Sequence, residues 1–86
     1  MSFKKEATKV YPNPASHFIN IELPEAKLIS KCSVIDASGS YHLQRKFEEV
    51  LQNVQLNIAE IPNGLYSLVV EAENTLIVRM IVVQNE

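Results

Sequence analysis

Apolar and polar residues alternate along most of this chain. Over residues 17–23, Ile19, Ile21 and Leu23 share one face, and Asn20 and Glu22 take the other. A period of two marks a half-buried β-strand. The alternation returns in residues 31–36, with Cys32 and Val34 together, and in residues 41–47, with Tyr41, Leu43 and Phe47 together and Arg45 as the exception. It returns again at Val54, Leu56 and Ile58, at Tyr66, Leu68, Val70 and Ala72, and at Leu76, Val78, Met80 and Val82. A short run, residues 8–11, precedes Pro12. The pattern predicts about seven short strands at intervals of roughly ten residues, an all-β fold in the form of an Ig-like antiparallel β-sandwich.

The punctuation fits that reading. Pro24 has no N–H to donate and is expected to end the first long run. Asp36-Ala37-Ser38-Gly39 and Pro62-Asn63-Gly64 supply turns in which glycine can take positive φ. Glu73-Asn74 is a two-residue hairpin candidate without the usual glycine. The last two runs are apolar on both faces, which predicts positions in mid-sheet or under a neighbour. One segment is ambiguous. Phe47, Val50, Leu51 and Val54 stand at i, i+3, i+4 and i+7, a helical face with Glu48 and Glu49 suited to its first turn. Whether residues 44–54 hold a helical turn stays open. Residues 1–7 read as a polar leader or linker stub, and residues 8–86 as the β-sandwich domain.

Composition narrows the class. The chain has 86 residues, 47% apolar and 21% charged, which suits one globular domain with a thin core. Eight basic against ten acidic residues leave a formal charge of −2, so the positive field that nucleic-acid binding needs is missing. No apolar run approaches the ~20 residues of a membrane-spanning helix. The basic residues at the start are not followed by an apolar stretch, so the start does not read as a signal peptide.

Candidate chemistry is sparse. Cys32 is the single cysteine, in an alternating run, and reads as a small buried hydrophobe. His17 and His42 fall in expected strands, outside any metal-ligand spacing. Asp36 precedes a turn, where a carboxylate commonly binds backbone N–H groups. The two glycines, Gly39 and Gly64, make no phosphate loop, and neither a G-x-S-x-G elbow nor a calcium loop is present. The reading is a non-enzyme with no cofactor and no metal. The six aromatic residues fall mostly at inward positions, which argues against sugar binding.

Three blocks carry a resemblance. Tyr11-Pro12-Asn13-Pro14, then Asp36 with Gly39, then Pro62, Gly64 and Tyr66, in this order and spacing, are similar to the C-terminal sorting domains of Bacteroidetes type IX secretion cargo. The likeness spans roughly residues 8–83. On physical grounds Pro12 and Pro14 fix the path of the chain, Tyr11 packs its ring while its OH finds a partner, and Tyr66 enters the core.

The resemblance implies a non-catalytic address that takes a larger secreted protein through the outer-membrane translocon to the surface or medium. The parent crosses the inner membrane by its own signal peptide. A sortase-like protease is the further implied partner, cutting near residues 1–8 and joining the cargo to surface lipopolysaccharide in many members. Family members often end on a basic strand. Here Arg79 is the one basic residue of the last strand, and the chain closes with Gln84-Asn85-Glu86. The length suggests a piece of a larger protein. Docking is expected on the last strand and its neighbour, with a homodimer through edge strands as another consequence. The competing reading is an Ig-like or fibronectin-like accessory module, acting as a spacer or in adhesion or carbohydrate binding.

Overall fold

The structure is a computed structural model that describes residues 8–85. Its described residues form five strands and no helix: β1 (Lys9–Tyr11), β2 (Phe18–Ile35), β3 (Tyr41–Asn57), β4 (Gly64–Ala72) and β5 (Thr75–Val83). All pair antiparallel in one continuous sheet, in the order β1-β2-β4-β5, with β3 on the other side of β2. The expected seven strands become five because two pairs of short runs are joined. The runs around residues 17–23 and 31–36 are the two ends of β2, and those around 41–47 and 53–58 are the two parts of β3. One curled sheet stands in place of two separate ones.

The joint in β2 lies at Pro24. Glu22 pairs with Asn53 and Lys27 with Leu51, so β2 carries extra residues between them. Pro24 therefore sits where no ladder bond is required, and its missing N–H costs nothing. Gln52 Nε2 donates to the freed carbonyls of Leu23 at 3.1 Å and Pro24 at 3.4 Å. The ribbon bends here and brings the inward faces of both halves of β2 to one core. Ile19, Ile21 and Leu23 from the first half meet Ile29, Cys32 and Val34 from the second, with Leu56, Ile58, Leu68, Val70, Ile81 and Val83.

Further slips explain two readings that differ. Between Ile29 and Lys31 the register shifts again, opposite Glu48, whose φ is 144°. The inward residues of β3 then fall at Phe47, Leu51, Val54 and Leu56. Spacings of four, three and two mimic a helix, yet the whole segment is strand. Between Val34 and Ile35 a third slip leaves His42 unpaired. It turns Tyr41 out to solvent and brings His42 against Tyr66, ring centroids 5.1 Å apart.

The expectation of inward aromatic residues fails more widely, since Tyr11 and Phe18 are also exposed. His17 lies just before β2 and not in a strand. β4 does lie mid-sheet, between β2 and β5, but β5 is an edge strand with a bare outer face. The Glu73–Asn74 hairpin forms, with Asn74 taking φ 55°.

Cys32 is fully buried, and burial pushes its thiol up to about 11; Arg45 pulls it back and Glu71 adds to the rise. Such a thiol is inert to alkylation near pH 8 until the domain unfolds, which timed mass spectrometry with iodoacetamide checks. The two faces of the β4–β5 hairpin should also separate by mutation. Leu68→Ala, at a fully buried position, should cost about 3 kcal/mol by urea denaturation. Leu76→Ala, on the outer face, should cost less than about 0.5 kcal/mol. Equal costs would contradict the assignment of faces.

Candidate docking surface

Because β2 folds back at Pro24, the segments before its start and after its end come to the same end of the molecule. The motif residues gather there in two clusters. The first is built on Asp36. Its Oδ1 accepts from Ser38 N at 2.9 Å, Ser38 Oγ at 2.7 Å and Ser40 N at 3.0 Å. Its Oδ2 accepts from His42 Nε2 at 2.7 Å. The Ser38 hydroxyl first, then His42 and the Ser40 N–H, hold this carboxyl well below its ordinary value of 3.8. Gly39 closes the turn at φ 91°.

His42 then links this turn to the next motif. It stands edge-on to Tyr66, whose OH donates to the Pro62 carbonyl at 2.6 Å. Gly64 takes φ 157°, and a Cβ there would lie 3.4 Å from the Tyr66 ring. Sequence reasoning placed Asp36 at a turn and Tyr66 in the strand after another; His42, outside the candidate set, is what joins them.

The second cluster pins the end of β5. Asn13 Oδ1 accepts the Val82 N–H at 3.0 Å. Ala15 N donates to Val82 O, and Gln84 N donates to Ala15 O, both at 2.8 Å. Asn63 Oδ1 accepts from Asn85 N at 2.7 Å, and Asn63 Nδ2 donates to Asn85 O at 3.2 Å. Pro12 and Pro14, both after cis peptide bonds, carry the chain through this corner. Asn13 was singled out as part of the Tyr11-Pro12-Asn13-Pro14 block; in the structure its side chain caps a backbone donor. Asn63 was not singled out, although an asparagine between Pro and Gly in a turn was the available signal. Tyr11 does not pack its ring as expected. It ends β1 with the ring outward.

This pinning fixes the parity of β5. Because Val82 turns its N–H and C=O toward Asn13 and Ala15, Met80, Val78 and Leu76 turn theirs the same way, off the sheet. Among the described residues, no strand lies beside that edge along residues 76–80. Arg79 Nη1 donates to Val78 O at 3.1 Å and shields one carbonyl. The side chains above the edge are apolar and bare: Leu76 is 63% exposed, Val78 48% and Met80 55%. Leu65 and Val82 extend the patch. Beneath it a groove of about 450 Å³ runs between Thr8, Pro24 and Lys27 on one side and residues 75–79 on the other.

The outer edge of β3 is different. It is broken by the irregularities at His42 and Glu48 and carries Lys46, Glu48 and Glu49, the usual protections of an edge.

Among the described residues, the module is locked by its turns and leaves one apolar edge open. The chain is a member of the secretion system C-terminal sorting domain family, whose sequence model matches residues 9–84. No curated protein sequence matches it. The family consists of C-terminal sorting signals of type IX secretion cargo, so this domain serves to sort a larger, exported protein to that machinery.

The Asp36 cluster predicts an acid response. Its ionised form is favoured by the fold, so its contribution to stability is full above about pH 4 and is lost as pH falls through the depressed value. Between about pH 5 and pH 2 the urea midpoint of the wild type should therefore drop more steeply than that of Asp36→Asn. Parallel profiles would contradict the assignment.

Proposed function

We propose that the type IX machinery reads this domain by strand addition to the β5 edge, as a non-catalytic address. The observation that carries the proposal is the row of outward backbone groups at Leu76, Val78 and Met80, which no strand among the described residues pairs between the hairpin turn and the Asn13 clamp. A partner strand gains a backbone ladder there, and its side chains meet the Leu76, Val78 and Met80 stripe. Arg79 releases the Val78 carbonyl when the strand arrives. This gives the candidate residues two roles. Tyr11 to Pro14, Asp36, Gly39, Pro62, Gly64 and Tyr66 hold the corner that presents the edge, and Arg79 guards it.

In this reading the cargo lies N-terminal to the domain and reaches the periplasm by a signal peptide on the parent. The outer-membrane translocon supplies the docking partner. Cleavage by a sortase-like protease would fall at residues 1–8, of which 1–7 lie outside the described residues. The bare edge also allows a homodimer.

Removal of residues 76–86 is a poor test, because Ile81 and Val83 belong to the core. Val78→Pro is cleaner. The Val78 N–H points away from β4, so proline there removes no bond of the domain's own ladder. The domain fused to an inert periplasmic reporter should lose export in a type IX-competent cell. Stability of the isolated domain should stay within about 1 kcal/mol of wild type. Export at the wild-type level would reject the edge as the address.

A further inference from the structure

A different face carries its own chemistry. The outer side of the N-terminal half of the sheet is formed by β1, the start of β2 and the end of β3. Register sets its side chains in rows: Lys9 opposite Glu22 opposite Asn53, Tyr11 opposite Asn20 opposite Gln55, and Phe18 opposite Asn57. Tyr11 and Phe18 are 46% and 45% exposed. They stand diagonally across β1 and β2, a relation that sets the two positions about 7–8 Å apart. The amides beside them are ordered. Gln55 Nε2 donates to Asn20 Oδ1 at 3.0 Å, and Asn20 Nδ2 donates to Tyr11 O at 3.4 Å.

We propose that this face binds a neutral glycan chain. An aromatic ring offers an apolar face to the C–H side of a pyranose, and a carboxamide both donates to and accepts from hydroxyls. Two rings on a diagonal meet successive sugar units, and the row Asn20, Gln55 and Asn57 meets their edges. Among the described residues of these rows the charges are Lys9 against Glu22, a balance that matches an uncharged polyhydroxyl chain better than an acidic polysaccharide or a charged peptide. The facing sides of β1, β2 and β3 are already paired here, and the proposed ligand meets side chains above the sheet, not the outer edges of β1 and β3. The proposal is separate from the sorting address on β5: Tyr11 is shared with the corner that presents that edge, but here it acts through its outward ring, and the readout is not export.

The test is a nuclear magnetic resonance titration of the 86-residue chain with cellohexaose, maltohexaose and a linear mannan oligosaccharide, each to about 10 mM. At least one probe should shift the amides of Tyr11, Phe18, Asn20 and Gln55 with a Kd on the order of 1 mM, the scale of a few such contacts. Tyr11→Ala and Phe18→Ala should each weaken binding about tenfold or more. Tyr41→Ala, an exposed ring outside this face, should leave binding unchanged. Absence of saturable shifts with all three probes would overturn the proposal. So would binding that survives both substitutions.

Discussion

The bend of the β2–β3 ribbon at Pro24 is the constraint on which this domain depends. A small domain has little surface to bury, and a flat five-stranded sheet would leave one face of every strand unpaired with a core. Folding the ribbon on itself lets two halves of one strand serve as opposite walls. The bend frees backbone carbonyls, and Gln52 answers two of them from the facing strand. An unsatisfied carbonyl at that position would cost about 1–3 kcal/mol, a large part of the stability such a domain has.

The same bend determines where function can sit. It sends the turn at Asp36, the loop at Pro62, the corner at Pro12 to Pro14 and the end of β5 to one end of the molecule. Small polar side chains then do the fastening: Asp36 on its turn, Asn13 and Asn63 on the last strand. The result is a β5 that is fixed at its C-terminal end and open along its middle. For the proposed address, that combination supplies a firm platform with one edge free for a partner, while the β3 edge is closed by charge and irregularity.

Much of the fold was legible because period-two alternation survives within each half-strand. All-β class, the three principal turns, the buried Cys32 and the inward set Tyr66, Leu68, Val70 and Ala72 followed from it. What was not legible arises from register. Pro24 looked like a terminator because a bulge that spares its N–H leaves no local mark. Phe47, Val50, Leu51 and Val54 left a helical turn open, because two slips stretch the inward spacing of β3. The two-sided apolar character of β5 suggested cover on both faces, and sequence cannot tell a covered strand from one that awaits a partner. Of the candidate site, the turn residues were visible as Pro, Gly and Asp. Their assembly was not, because it runs through His42 and Asn63, which carry no motif of their own.

Native-state hydrogen exchange tests the central claim most directly, since it reports each amide of β5 separately. The account predicts slow exchange at Val82 and Gln84, whose N–H groups are held by Asn13 and Ala15, and at Ile77 and Ile81, which face β4. It predicts exchange near the free-peptide rate at Leu76, Val78 and Met80. Uniform protection along β5, or uniform lability that includes Val82 and Gln84, would contradict a strand pinned at its end and open at its middle.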